Sequence, residues 1–172
     1  MRIDDDFIAY YEARAGHLRT TAYLLCGDWH LAQDLVQLTF TKLYQVWRRV
    51  ERHESLDQYA RRVLLRAFLD ERRRPWRHEV PTQIIDAGQA APGTRSPEDG
   101  VVLRAALTRL PRRQRAVLVL RFWADLSVDQ TAAVLGCSSG TVKSQTSDAL
   151  AGLRRVLGNA VNDFRPISGG QG

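Results

Sequence analysis

The sequence predicts an all-α protein built from two small helical domains that a flexible linker joins. Apolar residues recur at three- and four-residue intervals, and no long alternating stretch indicates a β-strand. Residues 78–95 contain two prolines and two glycines and few large apolar side chains, which is typical of a linker. The predicted domains are therefore residues 1–77 and 96–158, followed by a flexible polar tail at 159–172.

The N-terminal domain is predicted to contain three or four helices, of which three can be placed on the sequence. Apolar spacing places the first helix over Phe7–Leu25, and Gly27 ends it. Asp28 is a suitable cap for a second helix over about Trp29–Val50, because its carboxylate can accept from the first free amides. A third helix begins near Leu56.

One side of the third helix is apolar and the other is basic. The inward positions are predicted to be Leu56, Tyr59, Ala60, Val63, Leu64 and Ala67. The outward arc carries Arg61, Arg62, Arg66, Arg72 and Arg73, and it also includes Leu65 and Leu69. Such an arc of guanidinium groups suits a nucleic-acid backbone.

The second helix carries a polar strip beside its apolar side. Asp34, Gln37 and Thr41 fall on this strip, where a carboxylate and an amide could bond to an Arg-rich protein partner. A solvated helix face explains the same spacing, and spacing alone favours that explanation.

The start of the C-terminal domain is predicted to form two helices. Ser96-Pro97-Glu98-Asp99 supplies a cap, a first-turn proline and acids that complement the helix dipole. This helix reaches about Arg109, and Pro111 opens another that extends to roughly Trp123.

The segment from Ser127 onward has the pattern of a helix-turn-helix. Ser127 and Gln130 form a capping box for a short helix that ends at Gly136. Ser138 then caps a last helix over about 139–157.

The last helix has an apolar face and a small polar face. Its inward positions are Val142, Thr146, Ala149 and Leu153. Its outward positions are Lys143, Ser144, Ser147, Asp148, Ala151 and Arg154, with Gln145 on the flank. Small outward side chains allow a helix to enter the DNA major groove, although an ordinary helical hairpin with a solvated face would show the same division.

Asp148 complicates this interpretation because its carboxylate would repel phosphates. It is compatible with DNA binding if it accepts a hydrogen bond from a cytosine amino group. It is also compatible if it pairs with Arg154 or Arg155 instead.

Composition narrows the classes of function. The net charge of +6 and the pI of about 9.9 favour a polyanionic partner. Cys26 and Cys137 form no metal-ligand pair, and they fit a reducing cytoplasm. No signal peptide, membrane-spanning run, nucleophile elbow, paired carboxylate site or ligand cluster is recognisable, so we expect no enzyme activity, cofactor, metal or membrane contact.

Two stretches together resemble a known family. "AQDLVQLTF", residues 32–40, is similar to "AEDLVQETF" of bacterial RNA polymerase sigma factors of the extracytoplasmic-function type. Residues 107–157, from "LTRLPRRQ" to "GLRRVL", resemble the C-terminal domain of the same family. "ARRVLLRAFLDERRRPWR", residues 60–77, is similar to an actinobacterial subgroup.

The resemblance implies a sigma factor that binds core RNA polymerase and promoter DNA, with a possible anti-sigma factor as a further partner. Its polymerase contacts would be Asp34, Gln37, Leu38 and Thr41. Its minus-10 DNA contacts would be Arg61, Arg62, Arg66, Arg72, Arg73 and Arg74. Its minus-35 contacts would be Thr141, Lys143, Ser144, Gln145, Ser147 and Asp148.

The chain departs from the family pattern at four positions. Gln33 and Leu38 stand where the family has Glu, which makes the expected polymerase contact more apolar. Gln145 and Asp148 stand where many members carry Arg, so the usual minus-35 sequence is not expected. The alternative function is a free-standing helix-turn-helix repressor or activator, which would need a dimer helix that the sequence does not offer.

Overall fold

A computed structural model describes residues 3–49, 53–71 and 97–158, which form seven α-helices and no β-strand. The all-α prediction is confirmed for these residues. The chain divides into two compact units, Met1–Ile85 and Asp86–Gly172. The predicted linker at 78–95, the predicted tail at 159–172 and Arg72 to Arg74 lie outside the described residues.

The N-terminal unit contains helices α1 (Ile3–Cys26), α2 (Trp29–Val46) and α3 (His53–Asp70). The turn between α1 and α2 uses Gly27, whose φ of 71° is a left-handed conformation that favours glycine. The Asp28 carboxylate then accepts from the Leu31 amide at 3.0 Å, which confirms the predicted cap. Helix α2 ends before the predicted Val50 because residues 47–49 tighten into a 3₁₀ turn.

The core of the N-terminal unit is formed by all three helices. Its most deeply buried side chains include Ala22, Leu25, Ala32, Leu43, Leu56, Ala60, Leu64 and Phe68. The outward placement of Leu65 is wrong, because this side chain is only 1% exposed. Helix α3 packs against both α1 and α2, so its buried arc is wider than one apolar stripe.

A group of aromatic rings holds α1 against α2. The Tyr11 and Phe40 ring centroids lie 4.6 Å apart, and Phe7 meets Tyr44 at 4.9 Å and Trp47 at 5.2 Å. Offset and edge contacts of this kind stabilise a fold by about 0.5–1.5 kcal/mol each beyond their buried area.

The C-terminal unit contains α4 (Pro97–Thr108), α5 (Arg112–Leu118), α6 (Val128–Leu135) and α7 (Ser139–Leu157). A π-helical turn over Val119–Trp123 extends α5, so the predicted helix end at Trp123 is correct. Helix α7 packs against α4, α5 and α6 and is the centre of this unit.

Two arginines, one buried and one half-buried, hold the turns of the C-terminal unit. Arg115 is 8% exposed, and its Nη2 donates to the carbonyls of Thr108 at 2.7 Å and Leu110 at 3.1 Å. These carbonyls belong to the end of α4 and the following turn, where a cation offsets the helix dipole. Arg121 donates in the same way to the Leu126 carbonyl before α6.

Candidate nucleic-acid interface

The helix-turn-helix is formed by α6 and α7, and each cap predicted for it is present. The Ser127 hydroxyl accepts from the Gln130 amide at 3.1 Å, and the Gln130 side chain accepts from the Ser127 amide at 2.9 Å. Gly136 ends α6 with a φ of 67°. The Ser138 hydroxyl accepts from the Thr141 amide at 3.1 Å, which fixes the first turn of α7.

A further contact between the two helices was not predicted from the sequence. The Ser139 hydroxyl donates to Asp129 Oδ1 at 2.5 Å, so the start of α6 is tied to the start of α7. The Asp129 carboxylate also lies beside the positive end of the α7 dipole. A first-turn acid on α6 with a Ser at the first position of α7 was the available signal for this contact.

The structure confirms the division of α7 into two faces. Val142, Ala149 and Leu153 are at most 1% exposed, and the Thr146 hydroxyl donates to the Val142 carbonyl at 2.7 Å. The exposed predicted contacts are Thr141, Lys143, Ser144, Ser147 and Asp148, while Gln145 is half-buried on the flank. The face therefore offers one ammonium group, small hydroxyls and one carboxylate to a ligand.

Asp148 carries the negative charge of this face. No ion pair joins it to Arg154 or Arg155 within residues 97–158, although both arginines are exposed. The structure therefore does not support the ion-pair interpretation of Asp148. The remaining interpretation is that the Asp148 carboxylate accepts a hydrogen bond from a cytosine amino group.

The α3 arginines are less uniformly exposed than the sequence pattern indicates. Arg66 is exposed, whereas Arg61 and Arg62 are half-buried. The Nε atom of Arg62 is buried without a hydrogen-bond partner among the described residues. Partial burial keeps guanidinium groups out of bulk water, which strengthens their attraction for an anion.

The polar strip of α2 is exposed along its length. Asp34, Gln37, Leu38 and Thr41 all face solvent, and Leu38 is 41% exposed. The Thr41 hydroxyl donates to the Gln37 carbonyl at 2.9 Å, so its oxygen remains available as an acceptor. The strip thus combines a carboxylate, an amide and an apolar side chain on one surface.

A polar cluster between α1 and α3 was not predicted from the sequence. The Tyr10 hydroxyl donates to Asp57 Oδ1 at 2.7 Å, and Arg14 Nη2 lies 2.9 Å from Asp57 Oδ2. Burial raises the pKa of Tyr10, and the hydrogen bond to Asp57 adds to this effect. Burial also lowers the pKa of His17 below its usual 6.5, helped by the positive charges of Arg61 and Arg14.

The described part of the chain contains neither a metal-binding cluster nor a helix that could span a membrane. No group of three or more His, Cys, Asp or Glu side chains among residues 3–49, 53–71 and 97–158 is placed to hold a metal ion. Cys26 and Cys137 are not joined in a disulfide bond, and Cys26 Sγ donates to the Asp28 carbonyl at 3.1 Å. None of the described helices is both long and apolar enough to cross a membrane.

Comparisons with known proteins match both units to one kind of protein. The family model of sigma-70 region 2 matches residues 10–78, and that of sigma-70 region 4 matches residues 101–153. The RNA polymerase sigma-E factor of Streptomyces coelicolor is 36% identical over 152 residues, covering 88% of this chain and 86% of that protein. The ECF RNA polymerase sigma factor SigM of Mycobacterium tuberculosis is 36% identical over 104 residues, covering 60% of this chain and 53% of that protein.

A solved structure shows the same similarity in three dimensions. The sigma factor RpoE of Bartonella quintana, crystallised with the anti-sigma factor NepR, aligns with a TM-score of 0.71 and 25% identity. The alignment covers 88% of this chain and 96% of that chain.

Proposed function

Since the chain belongs to the extracytoplasmic-function family of RNA polymerase sigma factors, we propose that its two helical units divide promoter recognition between them. The chain binds core RNA polymerase and directs promoter-specific transcription initiation, which is the function of this family. In the proposed division, the N-terminal unit binds polymerase and the melted minus-10 element, and the C-terminal unit reads minus-35 duplex DNA.

The exposed face of α7 is the observation that carries the minus-35 assignment. Its capped N-terminus presents free amides, and Lys143, Ser144 and Ser147 are exposed on the adjoining turns. Backbone amides at a helix start suit a phosphate, and small side chains permit close approach to base edges. Thr141, Gln145 and Asp148 complete the proposed contact set.

The N-terminal assignment rests on α2 and α3. We assign the α2 strip of Asp34, Gln37, Leu38 and Thr41 to the polymerase. Its exposed leucine supplies apolar area, and its polar groups supply hydrogen bonds, which is the usual make-up of a protein interface. The α3 arginines, with Arg72 to Arg74 beyond the described residues, are assigned to the minus-10 DNA backbone.

A free-standing repressor or activator is not favoured. Such a protein would require only the helix-turn-helix, whereas the region 2 match covers the N-terminal unit as well. Tight palindromic binding in the absence of polymerase would be its signature.

The protein acts in the cytoplasm, where core polymerase and promoters are found. It has no catalytic activity of its own and needs no cofactor, because its proposed work is recognition. An anti-sigma factor holds it inactive, an idea supported by its similarity to RpoE of Bartonella quintana in complex with NepR.

Promoter-dependent transcription tests the proposed function. We expect the full chain alone to bind promoter duplex weakly, and a matched core polymerase plus the chain to produce discrete run-off transcripts from a genomic library. Absence of any promoter-dependent transcript with active core polymerase would contradict the proposal. Substituting Lys143→Gln should then reduce transcription from all selected promoters, while Arg19→Gln, at a residue outside the proposed contact set, serves as the control.

A further inference from the structure

The hydrogen bond between α6 and α7 fixes the direction of one hydroxyl proton at the start of α7. The Ser139 hydroxyl oxygen lies 2.5 Å from Asp129 Oδ1. An ionised carboxylate has no proton to donate, so Ser139 is the donor and Asp129 is the acceptor. Hydrogen bonds to a carboxylate are charge-assisted and stronger than those between neutral groups. The single hydroxyl proton of Ser139 is therefore engaged, and its oxygen is left with lone pairs only.

Two other hydroxyls on the exposed face of α7 are not constrained in this way. Ser144 and Ser147 are exposed and make no side-chain hydrogen bond within residues 97–158. A hydroxyl without a partner rotates to donate or to accept, so it bonds equally to either kind of base edge. Ser139 differs from both because it can only accept.

Ser139 lies on the side of α7 that approaches DNA in the proposed function. Ser139, Lys143 and Ser147 are spaced by four residues, so they form one row along the helix. In a helix-turn-helix, residues at the N-terminal end of the second helix contact base edges. Ser139 is the first residue of α7, yet it lies outside the contact set that the family resemblance implies, which begins at Thr141.

The major groove presents a hydrogen-bond donor on only two of the four bases. These donors are the exocyclic amino groups, N6 of adenine and N4 of cytosine. Guanine and thymine present only acceptors there, namely O6 and N7 of guanine and O4 of thymine. A side chain that can only accept therefore separates adenine and cytosine from guanine and thymine.

We propose that Ser139 is a specificity-determining residue of the minus-35 contact and that Asp129 is its positioning residue. Ser139 Oγ accepts a hydrogen bond from one exocyclic amino group in the major groove, either adenine N6 or cytosine N4. Asp129 acts through Ser139, because it holds the hydroxyl proton away from the base. This inference rests on the proposed function, which brings α7 to duplex DNA, and it deepens that function by naming the class of base read at one position.

Base preference at single minus-35 positions tests the inference. The measurement uses holoenzyme and a library in which the minus-35 region of a promoter obtained by run-off transcription is randomised. At one position we expect the wild type to favour adenine or cytosine over guanine and thymine about fivefold, the size of one hydrogen bond. Ser139→Ala should lower this preference to about twofold or less and leave the preferences at the other positions unchanged. The identity of the favoured base distinguishes the adenine amino group from that of cytosine.

Asp129→Asn tests the direction of the hydroxyl rather than its presence. The new amide can donate to Ser139 as well as accept from it, so the hydroxyl regains the freedom to donate to a base. We expect the same position to lose its preference, with more transcription from promoters that carry guanine or thymine there.

Asp125→Asn is the matched control. It removes an equal charge from an exposed residue in the turn before α6, and Asn suits the left-handed backbone of this residue, whose φ is 51°. The preference at the Ser139 position should then stay as in the wild type. Partial unfolding cannot imitate these results, because a preference is a ratio of activities measured with one protein.

Three results would overturn the inference. One is that Ser139→Ala leaves the preference unchanged at every position. Another is an equal effect of Asp129→Asn and Asp125→Asn, which would assign the effect of Asp129 to its charge alone. The third is a preference for guanine or thymine that Ser139→Ala removes, since Ser139 would then be a donor. If holoenzyme gives no promoter-dependent transcript, the proposed function fails, and selection of the same library by the chain alone then tests Ser139 separately.

Discussion

At the scale of single residues, the same charged side chain has different chemistry in different surroundings. His17 and His30 are both histidines of the N-terminal unit, but only His17 lies half-buried beside two arginines. Asp57 and Asp148 are both carboxylates, but Asp57 has two partners while Asp148 is exposed at a predicted DNA face. Their effects on stability and binding should differ accordingly.

His17 should make the stability of the N-terminal unit depend on pH. Its folded-state pKa lies below 6.5, so the folded state binds its proton less readily than the unfolded chain does. The contribution of neutral His17 to the free energy of unfolding is fully present above about pH 6.5, and it is lost as the pH falls through the lowered pKa. Urea midpoints measured across this range should vary less in His17→Gln than in the wild type, and His30→Gln should retain the wild-type dependence.

Asp148 should determine base preference at one minus-35 position. If its carboxylate accepts from a cytosine amino group, Asp148→Arg should change the preferred base there, a discrimination of about 1–3 kcal/mol. Selection of promoter variants by transcription with holoenzyme measures this preference. An increase in activity that is uniform over all sequences would instead place Asp148 beside the DNA backbone.

At the scale of elements, the geometry of α7 depends on polar contacts at its start and on close packing along its length. Ser138 caps the helix and Ser139 ties it to Asp129 on α6. Further along, Gly152 lies against Leu110, in the turn between α4 and α5, and against Gln114 on α5, so an added side chain would require these neighbours to move. Both features set where the predicted DNA face is presented.

Loss of the α7 cap should destabilise the helix-turn-helix. Ser138→Ala leaves the Thr141 amide without its acceptor, a change that costs about 1 kcal/mol at helix N-termini. Hydrogen exchange of the α7 amides in the full chain should become faster by the factor that this loss of stability predicts. Ser147→Ala, an exposed position on the same helix, should leave the exchange rates close to those of the wild type.

Gly152 should not tolerate a larger side chain. A Cβ at this position would lie 3.0 Å from Leu110 Cδ2 and 3.5 Å from Gln114 Oε1. We therefore expect Gly152→Ala to destabilise the C-terminal unit by about 1–3 kcal/mol, despite the better helix propensity of Ala. Gly140→Ala is the matched control, since only Ser138 Oγ lies within reach, at 3.9 Å. Thermal unfolding that ranks Gly152→Ala above the wild type would contradict this account.

At the scale of the whole molecule, two units with separate cores are joined by a segment with linker composition. The division of the chain into units falls between Ile85 and Asp86, inside the predicted linker of residues 78–95. Tethering two DNA-binding units makes the second binding event intramolecular, which raises its effective concentration. The length of the tether should therefore affect promoter-dependent transcription more than it affects DNA binding measured separately for either unit.

Shortening residues 81–95 should impair the joint action of the two units. We expect a deletion of about half of this segment to reduce promoter-dependent transcription, because a linker that cannot span its sites loses the gain in effective concentration. Binding of oligothymidylate and of minus-35 duplex, each measured separately, should change little. Equal losses in all three measurements would argue against the tether.

Many features of this structure could be predicted from the sequence alone, because they depend on residues that lie close together along the chain. Helix caps at Asp28, Ser127 and Ser138 depend on neighbouring residues, and the two faces of α7 depend on a period that any helix shares. The family resemblance added the functional assignment, which depends on the order of motifs and not on their geometry.

Only the tertiary structure decided which groups meet from distant parts of the chain. Burial of Leu65 follows from α3 packing on two helices at once, and the polar cluster between α1 and α3 follows from Tyr10 and Arg14 meeting Asp57 across 47 and 43 residues. Helical periodicity describes one helix at a time, so it cannot give the width of a buried arc or the partner of a charge. Local sequence determined the helices, caps and faces, while packing between helices determined the polar cluster and the burial of Leu65.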